Sequence, residues 1–284
     1  MKADNLASAQ VKDLLRQLRF RAKKRLGQHF LIDEEVLEHI ISAAELTVKD
    51  IIIEVGPGLG ILTRRLAEEA AKVIAVELDS RLVSILKRKL GSFPNIGIIH
   101  GDILKIAPEE LLGSEAQSYK VIANLPYYIT SPILSHFLEA SHKPSLMVVM
   151  VQKEVGEAIA AVPGKMSLLT VATQFYGKPS IIAYVPAKSF YPPPKVDSVI
   201  LRLDVYPKPP IEISDIAVFF DLVSNGFRLP RKQLRNSLAQ SLGMSPNQVS
   251  LLLENAGIEA KRRAETLSLE EWKRLWEAFA PIRK

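Results

Sequence analysis

The stretch Ile51-Ile52-Ile53-Glu54-Val55-Gly56-Pro57-Gly58-Leu59-Gly60 has the spacing best suited to chemistry. Five mostly β-branched residues run into glycines at every second position, and a helical pattern follows at once. An apolar run bounded by Gly and Pro reads as a buried strand of a parallel sheet. The glycines then make the strand-to-helix turn and let backbone approach a ligand that a side chain would obstruct. A dinucleotide fingerprint would place a glycine at position 61, where this chain has Ile61. A purely structural turn would also use these glycines, so the acids on the following strands matter. Glu77 closes the next apolar run, where a carboxylate can accept both ribose hydroxyls of an adenosine moiety. Asp102 closes the one after and is placed to accept the exocyclic amine of its adenine; Leu78 and Ile103, which follow these acids, belong to the same candidate site.

Asn124-Leu125-Pro126-Tyr127 follows the fourth such run and sets an amide, a carbonyl before proline and an aromatic ring in succession. An aryl amine is a poor nucleophile because its lone pair is delocalised into the ring. Two acceptors, the Asn124 side-chain oxygen and the Leu125 carbonyl, can bind its two hydrogens and favour a transition state with positive charge on nitrogen. Pro126 stiffens the turn, and Tyr127 offers a stacking face worth roughly 1–3 kcal/mol per base. An aryl amine that has attacked an electrophile carries positive charge and is acidic enough to lose its proton to water, so no general base is obviously needed.

These residues need a sheet to bring them together. From residue 51 onward, strand and helix periods alternate as in a doubly wound α/β layer. Strands are expected over 73–77, 96–100, 121–124, 146–151, 181–185 and 199–204, with helices over 59–70, 79–90, 132–140 and 166–175. Ligands of such a sheet bind beyond the carboxyl ends of the strands, where the residues above cluster. Asp33 is placed to cap a helix whose apolar face is Val36, Leu37, Ile40 and Ile41. Tyr206-Pro207-Lys208-Pro209-Pro210 resists helix and sheet alike and reads as a linker. Beyond it the pattern is entirely helical, over 218–227, 231–241, 246–255 and 269–279. Two domains are therefore expected, 1–207 (with a basic extension, 1–30) and 208–284.

A chain of 284 residues, 48% hydrophobic, can bury cores for both. It contains no cysteine, which removes disulfides, thiolate metal sites and cysteine nucleophiles, and no metal site is expected. No apolar run approaches the length that spans a bilayer, and no signal peptide is expected at the N-terminus, so a soluble cytoplasmic protein is anticipated. The net charge of +6 suits a polyanionic partner. Val11, Leu14, Leu15 and Leu18 suggest a short amphipathic helix, and Arg16 to Arg25 pack six cations without an acid. Arg21, Lys23, Lys24 and Arg25 in that run, and Arg228, Arg231, Lys232 and Arg235 around the second C-terminal helix, are candidate phosphate contacts. No dimer seam is visible, so a monomer is expected.

The spacing Gly56, Gly58, Gly60 after Glu54 resembles the S-adenosylmethionine loop of Rossmann-like class I methyltransferases. Taken with Gly27-Gln28-His29-Phe30-Leu31, Glu77-Leu78-Asp79, Gly101-Asp102, Asn124 to Ile129, Gln152 to Val155, Phe190 to Ser198 and Arg231 to Asn236, the chain is similar to the ribosomal RNA adenine N6,N6-dimethyltransferase family, in its bacterial small-subunit (KsgA-type) branch. The resemblance runs from about Lys23 to the C-terminus. It implies a Rossmann-like sheet with a smaller all-helical C-terminal domain. It also implies transfer of methyls from S-adenosylmethionine to two adjacent adenosines near the 3′ end of 16S rRNA. By the same likeness Gln28, His29 and Leu31 fold over the cofactor, Gly56 lies under its methionine end and Glu77 holds its ribose. Asp102 meets the adenine, Asn124 sits between cofactor and target amine, and Phe190 stacks on the target base opposite Tyr127. The family often has asparagine where this chain has His29, which leaves a main-chain contact there. Three other readings share parts of the pattern: a large-subunit rRNA methyltransferase, a dehydrogenase, and a non-enzymatic rRNA assembly factor. The residues Asn124 to Tyr127 and the C-terminal helices favour the small-subunit enzyme, and the glycine spacing disfavours the dehydrogenase.

Overall fold

The computed structural model describes Leu15 and residues 26–113 and 118–282. The chain divides into two compact units: Met1–Gly156 with Pro179–Val205, and Glu157–Lys178 with Tyr206–Lys284.

The first unit opens with strand β1 (Phe30–Leu31), helix α1 (Glu34–Ala44) and strand β2 (Ile51–Val55). Helix α2 (Ile61–Glu69), β3 (Lys72–Glu77), α3 (Ser80–Leu90), β4 (Ile96–His100), the short α4 (Pro108–Leu112) and β5 (Lys120–Asn124) follow. Then come α5 (Thr130–Leu138), β6 (Leu146–Gln152) and α6 (Lys153–Ile159), which runs on into the second unit. Helix α7 (Leu168–Tyr176) belongs to the second unit, and the chain returns through β7 (Gly177–Val185), β8 (Phe190–Tyr191) and β9 (Ser198–Val205).

Seven strands form one sheet in the order β4-β3-β2-β5-β6-β9-β7, with β4 through β6 parallel and β9 antiparallel to β6. Ile52 and Ile53, on opposite faces of β2, are both fully buried, so the sheet is covered on both sides, as the unbroken apolar run requires. Strand β2 lies between β3 and β5, so successive connections run to opposite edges from it. The loops after β2 and β5 therefore open side by side at the point where strand order reverses, the usual ligand crevice of such sheets. Asp33 caps α1, as expected, accepting from the amides of Glu35 and Val36 at 3.1 and 3.4 Å. Asp79 caps α3 through the Arg81 amide.

A second, two-stranded sheet joins β1 to β8 antiparallel, pairing Phe30 with Tyr191 and Leu31 with Phe190. Its strands are too short to show a period, and neither is visible in the sequence. Leu15, the one described residue of the expected N-terminal helix, is buried in a cluster with Phe30, Leu59, Leu82 and Ile85. The basic run from Arg16 to Arg25, with Arg21, Lys23, Lys24 and Arg25, lies outside the described residues.

The second unit adds α8 (Ile216–Phe227), α9 (Leu234–Leu242), α10 (Pro246–Asn255) and α11 (Leu269–Phe279) to α7. Residues 157–178, expected in the first domain, belong here because the aromatic rings of α7 need partners from α8. Phe175 packs on Phe219 and Phe220, and Tyr176 stacks on Phe220. Gly226 lets α8 approach the Trp272 ring so closely that a Cβ would fall 2.4 Å from it. Helix α9 starts at Leu234 instead of at 231, with Gln233 as its N-cap. Arg231 and Lys232 thus lie in the turn before it, and only Arg235 of the expected cations is on the helix.

Candidate active site

The glycine loop is built by positive φ at each glycine, 67° at Gly56, 60° at Gly58 and 80° at Gly60, a region that a side chain strongly disfavours. The three positions do different work. Beside Gly56 an added Cβ would meet only Pro126, at 4.0 Å, and would project into the pocket. At Gly58 it would press on the Phe30 ring at 3.2 Å. Gly60 does not line the pocket: a Cβ there would strike Leu86 and Leu90 of α3, so its task is packing between helices. Of the expected ligand-binding glycines, Gly60 is corrected to a structural one.

Glu77 is 6% exposed and braces the loop, accepting the Gly58 amide at 3.2 Å and the Asp79 amide at 2.8 Å. Burial raises its pKa, and those two amides oppose the rise. Each carboxylate oxygen keeps a second lone pair for a ligand hydroxyl. Leu78 and Ile103 line the same pocket, the first half exposed and the second buried. Asp102 also lines it and starts the next turn by accepting the Leu104 amide at 3.2 Å.

Glu54 enters the sequence pattern only as part of the glycine motif, yet it is the most constrained acid in the pocket. It is 1% exposed, and its Oε2 is buried without a hydrogen-bond partner. Burial pushes its pKa up to about 8; the Thr63 hydroxyl opposes the rise and the Glu77 charge adds to it. A lone carboxyl inside an apolar strand is the signal that the sequence offers for it.

Asn124 ends β5 with its Nδ2 donating to the His29 carbonyl at 3.1 Å. A carbonyl can only accept, so this bond fixes the orientation of the amide and leaves Oδ1 as the free-facing acceptor. The Leu125 amide is held by the Met150 carbonyl at 3.1 Å, which fixes the peptide next to it. The Leu125 side chain is 2% exposed, so only its carbonyl is available for the expected role. Pro126 and Tyr127 line the pocket; the Tyr127 hydroxyl meets Ser198 Oγ at 2.6 Å, and burial raises its pKa.

The segment from Leu26 to Leu31 roofs this crevice, with Gln28, His29 and Leu31 all lining it. Gln28 reaches Asp79 at 3.3 Å. The His29 ring donates from Nδ1 to the Pro192 carbonyl at 2.7 Å and stacks on Tyr127 at 5.9 Å between centroids. Its side chain is thus committed to the protein, and its main-chain carbonyl orients Asn124.

Phe190 requires a correction. It is 2% exposed, sits in the hydrophobic core with Leu31, Ile122 and Ile200, and does not line the pocket. An aromatic ring packed among aliphatic side chains cannot also offer a face to a base; in this structure it anchors β8, and through β8 the roof. Tyr128, Gly27 and Leu26 line the pocket without having been expected as site residues. For Tyr128 the signal in the sequence is its place as the second ring of an aromatic pair.

In the second unit Arg228, Arg231 and Lys232 are exposed and Arg235 is half-buried. Among the described residues none of the four forms an ion pair; Lys232 reaches Gln240 at 3.1 Å and Arg235 reaches Asn236 at 3.3 Å. Arg262, by contrast, is spent on a bidentate pair with Glu271. Among the described residues no group of acids and histidines could hold a metal ion, and no helix is long and apolar enough to cross a membrane.

The crevice is thus built on glycines, with the Glu77 carboxylate and the Asn124 amide in its lining. The family described as ribosomal RNA adenine dimethylase matches residues 19–280. The chain belongs to that family. A protein of Dehalococcoides mccartyi (strain 195) called ribosomal RNA small subunit methyltransferase A is 53% identical over 94% of this chain and 91% of its own length. One of the same name from Clostridium acetobutylicum is 42% identical over 93% and 96%. Among solved structures, the 23S rRNA methyltransferase ErmE is similar at TM-score 0.71 and 30% identity, over 88% of this chain and 99% of its own. A dimethyladenosine transferase from Plasmodium falciparum is similar at TM-score 0.75 and 26% identity, over 89% and 98%. The fold is that of Rossmann-like class I methyltransferases.

Proposed function

We propose that this member of the family dimethylates the N6 amines of two adjacent adenosines near the 3′ end of 16S rRNA, using S-adenosylmethionine, within the small ribosomal subunit or its precursor. The observation that carries the reading is the Asn124 amide, which lines the crevice together with the glycine loop and whose nitrogen is held by the His29 carbonyl, leaving its oxygen as the available acceptor.

The residues present fit the cofactor. A side chain at Gly56 would fill the space its methionine end needs, and Glu54 Oε2, in the lining without a hydrogen-bond partner, would gain one from a polar group of the cofactor. Glu77 would hold the ribose, with Asp102 and Ile103 at the adenine. When bound, S-adenosylmethionine supplies an electrophilic methyl on a sulfonium centre. The rest is positioning by this chain, which accounts for much of the rate in an in-line transfer. Asn124 Oδ1 and the Leu125 carbonyl accept the two hydrogens of the target amine and turn its lone pair out of conjugation. Both acceptors favour the positive charge that develops on nitrogen, and their fixed orientation removes the need to reorganise. The spent proton leaves to water. The target base must be unstacked to reach Tyr127, which favours a loop or single-stranded substrate.

Arg228, Arg231, Lys232 and Arg235 serve as phosphate contacts in this reading, and the chain acts as a cytoplasmic monomer where ribosomes are assembled. The deciding experiment incubates small-subunit particles from cells lacking the enzyme with labelled S-adenosylmethionine. A mass shift of four methyls on one 16S fragment is expected. No label on the 16S rRNA of these particles, or label away from that fragment, would overturn the reading.

A further inference from the structure

The two rings expected to grip a base are both engaged elsewhere, while a third stands open. Phe190 is in the core. Tyr127 is covered on one face by His29 and tied at its hydroxyl to Ser198, which leaves it a single face for the target. Tyr128 lines the same pocket and is 55% exposed, a large exposure for an aromatic ring on a well-packed fold.

Its mounting is rigid. Tyr127, Tyr128 and Ile129 form a single 3₁₀ turn, closed by the Ile129 amide on the Pro126 carbonyl at 3.1 Å. The Thr130 hydroxyl adds a bond to the Tyr127 carbonyl at 3.3 Å. One edge of the Tyr128 ring rests against Gly27, where a Cβ would come within 3.4 Å, so the roof has no side chain in its way. A ring that lines a base pocket, is approached along one edge by Gly27 and keeps about half of its surface in solvent suits stacking.

We propose that Tyr128 is a positioning residue that stacks on the nucleobase adjacent to the adenosine held in the pocket. The inference rests on the proposed activity, in which that neighbour is itself an adenosine. When the target is drawn out, the neighbour loses its stacking partner, and base flipping incurs that loss unless the protein supplies a substitute. A tyrosine face does so, and it accepts a purine whether or not its amine already carries methyls.

Tyr128→Leu and Tyr128→Phe separate stacking from mere coverage of Gly27, since leucine keeps apolar bulk and phenylalanine keeps the ring. Small-subunit particles carrying 2-aminopurine in place of the neighbouring adenosine give a fluorescence readout that does not depend on methyl transfer. Quenching on binding is expected with the native protein and with Tyr128→Phe, and its loss with Tyr128→Leu. On unlabelled particles Tyr128→Leu should raise KM about tenfold with kcat nearly unchanged, while S-adenosylmethionine affinity by calorimetry stays the same in all three proteins. No quenching by the native protein, equal quenching by the leucine variant, or failure of the phenylalanine variant alongside leucine would each overturn the proposal. Methyl transfer by the native protein to unlabelled particles tests the activity itself, so the two failures are distinguishable.

Discussion

Two side chains in the lining of the crevice, Glu54 and Asn124, each give a measurable consequence. Glu54 titrates near 4.5 in an unfolded chain and about 8 here, because its carboxyl is buried. Below pH 4.5 both states hold the proton, so its contribution to stability is fully present there. As pH rises toward 8 the unfolded state releases a proton that the folded state keeps, and stability falls by about 1.4 kcal/mol per unit. Glu54→Gln should remove that slope: melts at pH 5 and pH 8 should show a gain over the native protein only at the higher pH. Equal gains at both would mean that the carboxyl is ionised in the fold. Asn124 is a neutral amide that, in the proposed reaction, orients the target amine, so its removal should be felt in the chemical step. Asn124→Ala should lower the single-turnover rate by about 10²–10³, the order found for removing one oriented polar group from a reacting centre. Affinity for small-subunit particles should change little; rates within threefold of native would defeat the role.

At the scale of elements, the two-stranded sheet fastens the roof, and Gly58 is where the roof touches the floor. Gly58→Ala adds a Cβ 3.2 Å from Phe30 at a φ of 60°. Both effects lift β1 from the loop that Glu77 braces, so S-adenosylmethionine affinity should fall at least tenfold while the far-UV spectrum is retained. Calorimetry that matches the native protein would show that the roof yields without cost. Sheet and helices were legible because their signals are periodic: β4, α10 and α11 fall at the residues expected from pattern alone. Gly56, Gly58, Glu77, Asp102 and Asn124 were legible as the lining of one crevice because strand ends are where a parallel sheet collects ligands. Phe190 and Gly60 were not, for a common reason. An aromatic before prolines and a glycine in a loop look alike in sequence whether they face ligand or core, and only the neighbours decide. Helix α9 starts three residues later than expected, at Leu234, whose amide is taken by the Arg262 carbonyl at 2.7 Å, a contact invisible to hydrophobic period.

For the whole molecule, net charge of +6 is a weak argument, but four cations around one turn of the second unit, without ion pairs among the described residues, are a sharper one. Reversing Arg231 and Lys232 to glutamate should weaken binding to small-subunit particles and reduce its salt dependence by about one unit of slope for each phosphate no longer neutralised. Cofactor affinity should be untouched, since the crevice is built entirely from the first unit. Binding curves that superimpose across salt would return these residues to an ordinary solvated surface. The division of the chain carries a further consequence, for synthesis. The second unit borrows α7 from upstream of β7, β8 and β9, so a nascent chain emerging from the ribosome can complete its sheet at Val205 while α7 still waits for α8. Until then Phe175 and Tyr176 lack Phe219 and Phe220, and the growing polypeptide exposes a sticky aromatic helix. A gene truncated after codon 207 freezes that moment: its product should aggregate on expression. Replacing 157–178 in it by a short polar loop should restore solubility.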